Sequence, residues 1–594
     1  MKKVISLVLA AAMLGTISTG CGNKENSSSG NSSNDSETKN NSGSEESASD
    51  EKITFYQTGG KTKTLNPHVY ETSSESGTMS YIYANLYEII VNEAGDSYEF
   101  YPNHAAELPT MSEDGLIWTV PIRDNVKWSD GTPVTAETYE YTYKMLLDPS
   151  LKNTMAEIFF NIVPVVNAKE YFNGECTWEE VGIKVDGNNL VFNLRFAISE
   201  IDFVRQFIGG YETAAVHPEM YESCFNADRT ENTYGTSLET TPSSGAYILT
   251  EWQRDQHKIF EKNPDSPLAE IYTPDVIDSR VVEDSNTAMT LFENGDIDYT
   301  TVSSSNYEKY VEDPRVVFSE SSSVNHMYIN ATSETNPILG NNDFRKALYY
   351  ATDRNKITET IYKTALPAPY YISSYQFLNE KDRYRDSEGA KELVERFAGE
   401  SAGFDPELAK EYFNKAYEAN GGTPLVVQMQ YFDTSDSMKM MAEYLEEEYE
   451  GLFGKDKMDV QLQAVPWQTV YDNMKSGKFD LAFGSYGISP LNPWAGLEIY
   501  KSEFPGKNDK MYNEEFDTLW DRTVAGDLIF KEKEKLDALV RMEEIMFEET
   551  CLVPLYQNRS VYIFSDRIEL ITGGKYLPSA GFGILQSKIG PKAE

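Results

Sequence analysis

The chain has 594 residues, 40% of them hydrophobic, enough to build two or three domains. Asp and Glu number 95 against 52 Lys and Arg, a formal net charge of −43, and a surface of that sign repels phosphate backbones, which speaks against nucleic acid as a partner. The four cysteines form no CxxC or Cys/His spacing, so no metal site or cofactor is expected, and past the first twenty residues no apolar run is long enough to cross a bilayer.

At the N-terminus, Lys2 and Lys3 precede an apolar run from Val4 to Leu14 that is too short to span a membrane, the pattern of a cleaved leader. It ends in Ser18-Thr19-Gly20-Cys21, which resembles a bacterial lipobox, although Ser18 stands where that motif usually has Leu. The expectation is a signal peptide over residues 1–20 and a lipidated Cys21. Two acyl chains would hold firmly, at about 0.8 kcal/mol per buried CH₂. Residues 21–51 are the lipidated Cys and a Ser/Asn-rich segment that cannot bury a core, a disordered tether spanning roughly 30 Å.

An opening strand is expected at Ile53 to Phe55. Leu116 to Ile122 is aromatic and β-branched, follows a turn at Glu113-Asp114-Gly115, and reads as a strand. A second turn, Ser129 to Pro133, leads into a helix with Thr135 as N-cap and Tyr139, Tyr143 and Leu146 on one face. Val181 to Leu194 reads as a hairpin around Gly187-Asn188. Val276 to Val282 is a strand and Ala288 to Asn294 a helix stopped by Gly295, with Asp296-Ile297-Asp298 starting the next strand.

In the second half, Phe344, Ala347, Leu348 and Ala351 lie at helical spacing. Asp405 and Pro406 open another helix, which Gly421-Gly422 stops. Pro424 to Phe432 is a strand, and Val460 to Val465, Trp467 to Ser476 and Phe479 to Ser485 form strand–helix–strand, the mark of an α/β lobe. A long helix, Glu532 to Glu548, precedes a strand at Leu552 to Tyr556.

One enzyme motif is present verbatim. Gly399-Glu400-Ser401-Ala402-Gly403 is G-x-S-x-G, but a helix instead of a strand precedes it and no histidine follows Ser401, so it reads as a loop and the chain as no enzyme. His68, in an Asn-Pro-His turn, reads as a structural hydrogen-bonding residue. Cys176, Cys224 and Cys551 are far apart in sequence; a Cys176–Cys224 disulfide suits the compartment, and buried free thiols are the alternative preferred here.

Asp114-Gly115-Leu116-Ile117-Trp118-Thr119, then Arg123, Val126-Lys127-Trp128 and Asp130-Gly131-Thr132-Pro133-Val134-Thr135, resembles the signature of family 5 extracytoplasmic solute-binding proteins, the oligopeptide/dipeptide/nickel-type receptors of ABC importers. Thr64 to His68 resembles that family's L-[ND]-P-H turn, and Tyr83 to Glu88 its helix ending in an acid. Gly245 to Leu249, Asn342 to Arg354 and Leu552 to Tyr556 resemble further landmarks in the family's order. The resemblance implies an α/β, two-lobed periplasmic-binding-protein-like fold of the large cluster C type, with a hinge of two crossing segments. Lobe I would cover 52–325, with an inserted subdomain at about 76–239, lobe II 326–554, and 555–594 would return to lobe I.

It further implies an oligopeptide ligand, a membrane permease as partner, a monomer, and a lipid-anchored position on the outer face of the cytoplasmic membrane. A receptor for another solute, such as an oligosaccharide, is the second reading and a secreted hydrolase the remote third. Ligand contacts are expected from Glu71, Thr72, Ala482, Phe483, Gly484, Tyr486, Ser489, Asn492 and Trp494. Peptide-binding members carry G-W-x-x-D-[YN]-x-[DE]-P here, whose Asp holds the peptide ammonium. Counted back from Pro490, that Asp is Tyr486, so the anchor is missing. Another acid supplies the charge, or the peptide binds in another register, or the ligand has no amine there. Glu71 is the first suspect, against a solvated turn residue, and N-acetylation of a peptide is expected to weaken binding less than about tenfold.

Overall fold

The computed structural model describes residues 52–504, 511–550 and 552–592, so the leader, Cys21, the tether and Cys551 lie outside the described residues. The opening strand, Thr54–Gly59, pairs in parallel with Val276–Val281, which continues antiparallel into His257–Lys262 and Tyr247–Gln253. More than two hundred residues therefore separate the two neighbours at the head of this sheet. The segment between carries a second four-stranded sheet, ordered Thr110–Met111, Ile117–Pro121, Asn189–Asn193, Ile183–Asp186. Its hairpin turns on Gly187, whose φ of +60° suits glycine.

The helix Ala136–Leu146 starts where its residues require. Thr135 accepts from Thr138 N, Thr138 answers with its own hydroxyl, and Tyr139, Tyr143 and Leu146 are fully buried. Trp118 stacks on Phe203 with centroids 4.4 Å apart, joining the inserted sheet to the helix Glu200–Val204. One hydrophobic core runs through both sheets, from Phe55 to Ile277, and takes in Leu491 and Ile589 from far along the chain.

The second lobe is organised on a seven-stranded sheet, whose path runs Tyr299–Thr301, Leu552–Phe564, Val316–Ile329, Leu481–Gly484, Leu425–Phe432, Met458–Val465, with Leu366–Pro367 pairing off this path with Leu552–Phe564. Helix Trp467–Ser476 crosses from Met458–Val465 to Leu481–Gly484 and ends on Gly477 at φ +70°. Two long antiparallel strands, Val316–Ile329 and Leu552–Phe564, hold the lobes together. At one end Val561 and Ile563 pack in a small core with Met289 and Phe292; at the other, Met327 to Ile329 and Leu552 to Leu555 enter the core of the second lobe. Their register breaks between Glu320 and Val324 and again between Asn325 and His326, and such irregularities bend a ribbon.

Several local expectations need correction. Tyr83 to Glu88 is not a helix: the helix is Ser73–Ile82, Tyr83 caps it, and Glu88 lies on the strand Tyr87–Val91. Asp298 does not begin a strand, which starts at Tyr299; it accepts from Tyr56 N at 2.8 Å and pairs with Arg567 at 2.7 Å. The helix at 342 stops at Ala351, and Asp353 caps a second one, Arg354–Thr360. The return strand is 13 residues long, past the expected Tyr556. Gly399–Ser401 is a single helical turn between helices. Cys176 and Cys224 are free thiols, as preferred from the sequence, but only Cys224 is buried.

Candidate functional site

A cavity of about 680 Å³ opens against the first lobe, within the range of roughly 300–1,000 Å³ typical of small-ligand sites. Strand alternation puts Phe55 and Gln57 of the opening strand on one face, toward it. Tyr81, from the last turn of Ser73–Ile82, is held 3.0 Å from the Gln57 amide. Strand Tyr87–Val91 contributes Glu88 and the turn Arg205–Phe207 contributes Arg205. Tyr211, Tyr272, Tyr299 and Tyr562 complete an aromatic wall. The C-terminal loop closes one side because the Gln586 amide docks on Val91, accepting from its N–H at 2.7 Å and donating to its C=O at 3.0 Å. Ser489 and Leu491 reach in from the loop after Leu481–Gly484, Leu491 packing into the core shared by the first two sheets.

The charges in this wall are few. Glu88 is its one acid and Arg205 its one cation among the described residues. Glu88 accepts only from its neighbour Ile89 N, at 3.1 Å, and burial pushes its carboxyl up to about 7. Burial holds the Tyr211 and Tyr272 hydroxyls well above their usual range, and the nearby Glu88 adds to it. Arg205 Nε and Nη1 are buried without a hydrogen-bond partner, and the nearest carboxylate oxygen, Asp202 Oδ1, is 3.7 Å from Nε. Asp202 is engaged elsewhere, by Ser199 Oγ and by the Asn492 amide.

Of the residues expected from the sequence, Ser489 alone lines the cavity. Glu71 is exposed, with its N–H on Glu75 Oε2 at 2.9 Å, and Thr72 caps the helix Ser73–Ile82. Ala482, Phe483 and Gly484 are buried in the middle of the sheet, facing Tyr328, Met327 and His326 across one edge. On the other edge the ladder to Leu425–Phe432 ends at Gln430 and Ala482. Tyr486 is half-buried against the core of the second lobe. Asn492 caps Pro493–Gly496 and donates to Asp202. Trp494 is core, its Nε1 donating to Lys535 O at 2.8 Å and its ring 4.6 Å from Lys535 Nζ.

Glu88 and Arg205 escaped the sequence reading. A signal for Glu88 was available: a single acid inside Leu86-Tyr87-Glu88-Ile89-Ile90-Val91, an otherwise apolar strand. Tyr486, which stands where the resemblance would place the ammonium-binding Asp, is not among the residues lining the cavity, whereas Ser489 is.

His68 is structural. Its Nδ1 lies 3.0 Å from Tyr221 OH, and burial pushes the ring down to about 3. No group of three or more His, Cys, Asp or Glu is arranged for a metal, and no helix is long and apolar enough to cross a membrane, among the described residues.

Residues 99–508 match a family model described as bacterial extracellular solute-binding proteins, family 5 middle. The chain is 26% identical over 424 residues to a dipeptide-binding protein of Lactococcus lactis subsp. cremoris, covering 68% of this chain and 72% of that one. In fold it is similar to the unliganded open form of the periplasmic murein tripeptide-binding protein MppA, with TM-score 0.73, 20% identity, and coverage of 91% of this chain and 98% of that one. Listeria monocytogenes OppA bound to peptide gives TM-score 0.62 at 19% identity, over 91% of this chain and all of the other.

Proposed function

Since this chain belongs to family 5 of the bacterial extracellular solute-binding proteins, a family of binding proteins and not of enzymes, we propose that it captures extracellular oligopeptides between two lobes and hands them to a membrane permease. The observation that carries the reading is the cavity itself: an acid whose carboxylate meets only its neighbour's N–H, and an arginine with two buried nitrogens lacking a hydrogen bond, in a tyrosine wall that the loop after Leu481–Gly484 also reaches. The open sheet edge beyond Ala482 supports it, since main-chain groups there are free of the Leu425–Phe432 ladder and suit strand addition by a peptide. The register breaks in the two connecting strands support hinge closure near Asn325–Ile329 and Pro554–Tyr556.

In this reading the protein is a monomer held at the outer face of the cytoplasmic membrane by lipid on Cys21. Cys21→Ala would then release it into the medium, and unchanged membrane retention would remove the anchor from the proposal. One observation favours a second ligand class: Tyr81, Tyr211, Tyr272, Tyr299 and Tyr562 offer stacking faces for sugar rings. Thermal shift with a mixed peptide pool and with an oligosaccharide panel separates the two. The proposal expects stabilisation by peptides alone; stabilisation by sugars alone would replace it with the second class.

A further inference from the structure

Glu88 and Arg205 carry opposite charges in one cavity, yet they form no ion pair with each other. Each is poorly satisfied where it stands. An ionised carboxylate has about four acceptor sites, and Glu88 uses one, on the N–H of its own neighbour. Two Arg205 nitrogens are buried without a hydrogen bond, and the one carboxylate paired with it, Asp202, stands 3.7 Å away and is shared with Ser199 and Asn492. Charged groups removed from water without partners are costly, and packing gives no reason for an acid on the strand Tyr87–Val91, whose other residues are buried and apolar or aromatic. Ser489 lines this same space and brings no charge.

We infer that Glu88 receives the cationic group of the ligand and Arg205 its anionic group, so that the cavity selects a ligand carrying both charges, such as a peptide with two free termini. The inference rests on the peptide reading above and replaces the missing acid with a residue from the other lobe. It reverses the expectation that N-acetylation matters little. It also disfavours neutral sugars, which would leave both charges unmet.

The test uses the full chain, with Glu88→Gln, Glu88→Asp and Arg205→Gln beside the parent. Calorimetry is run with tri-, tetra- and penta-alanine, each free, N-acetylated or C-amidated. A charge-assisted hydrogen bond is worth about 1.5–3 kcal/mol, or about 10–100-fold in affinity. On the parent, acetylation and amidation should each weaken binding by about that factor. Glu88→Gln should abolish the acetylation penalty and keep the amidation penalty, Arg205→Gln should do the converse, and Glu88→Asp, which retains the charge, should retain both penalties. Equal acetylation penalties in the parent and in Glu88→Gln would overturn the inference and leave the peptide reading standing. No binding of any alanine peptide by the parent would remove the peptide reading and the inference together.

Discussion

Replacing Glu88 by Gln should change how stability depends on pH, even with no ligand present. In the folded chain burial keeps this carboxyl protonated up to about pH 7, whereas in the unfolded chain it ionises near its ordinary value of 4.5. Between those values the native state holds a proton that the unfolded state has lost, so stability falls as pH rises. The contribution is fully present below about pH 4.5 and gone above about pH 7. At about 1.4 kcal/mol per pH unit its ceiling is about 3 kcal/mol, and water reaching the half-buried side chain from the cavity reduces it to about 1–3 kcal/mol. Gln has no proton to lose. The stability difference between variant and parent should therefore move in favour of Gln by that amount between pH 4.5 and 7.5, while every other titration cancels. Denaturant unfolding of both proteins at the two pH values measures it. A difference that does not change with pH would refute the reasoning and return Glu88 to the ordinary carboxylates.

Three buried histidines should act in the opposite direction. Burial holds His68 and His326 neutral down to about 3 and His104 down to about 4, so their stabilisation is complete above pH 6.5 and is lost as pH falls toward those values, by about 2 kcal/mol each at pH 5; a melting midpoint equal at pH 7.5 and pH 5 would contradict this. Glu543 is fully buried and accepts from Tyr371 N, Ile372 N, Tyr384 OH and Arg385. Glu543→Gln, which leaves the Arg385 charge uncompensated, should lower stability by about 3–5 kcal/mol in denaturant unfolding, and a loss under 1 kcal/mol would show that the network is dispensable. Thr72→Ala removes one half of a capping box and should lower stability by about 1 kcal/mol in the same assay; no loss would mean the helix Ser73–Ile82 is held by its packing alone.

Elements whose ends are written in local chemistry were legible from the sequence. Thr135 and Asp405 cap their helices, Gly187 turns its hairpin, and Trp467 to Ser476 is a helix closed by Gly477. Elements set by distant partners were not. Leu552–Phe564 was cut short at Tyr556 because Gln557, Asn558 and Arg559 break its apolar run, but Val316–Ile329 pairs beside them. Tyr83 to Glu88 was assigned to a helix that in fact ends one residue earlier, at Ile82. The site was the least legible part. Its wall draws on the first strands, the inserted segment, the return strand and the C-terminal loop, a convergence that no single stretch encodes. Trp494, whose indole serves the core, and Glu71, which lies on the surface, stand beside recognisable motifs but do not line the cavity.

Native mass spectrometry of the protein purified from its own cells without denaturation tests the central claim most directly. A bound population of short peptides, identified by fragmentation after release, is the predicted result. A homogeneous oligosaccharide carried by the same protein would contradict it.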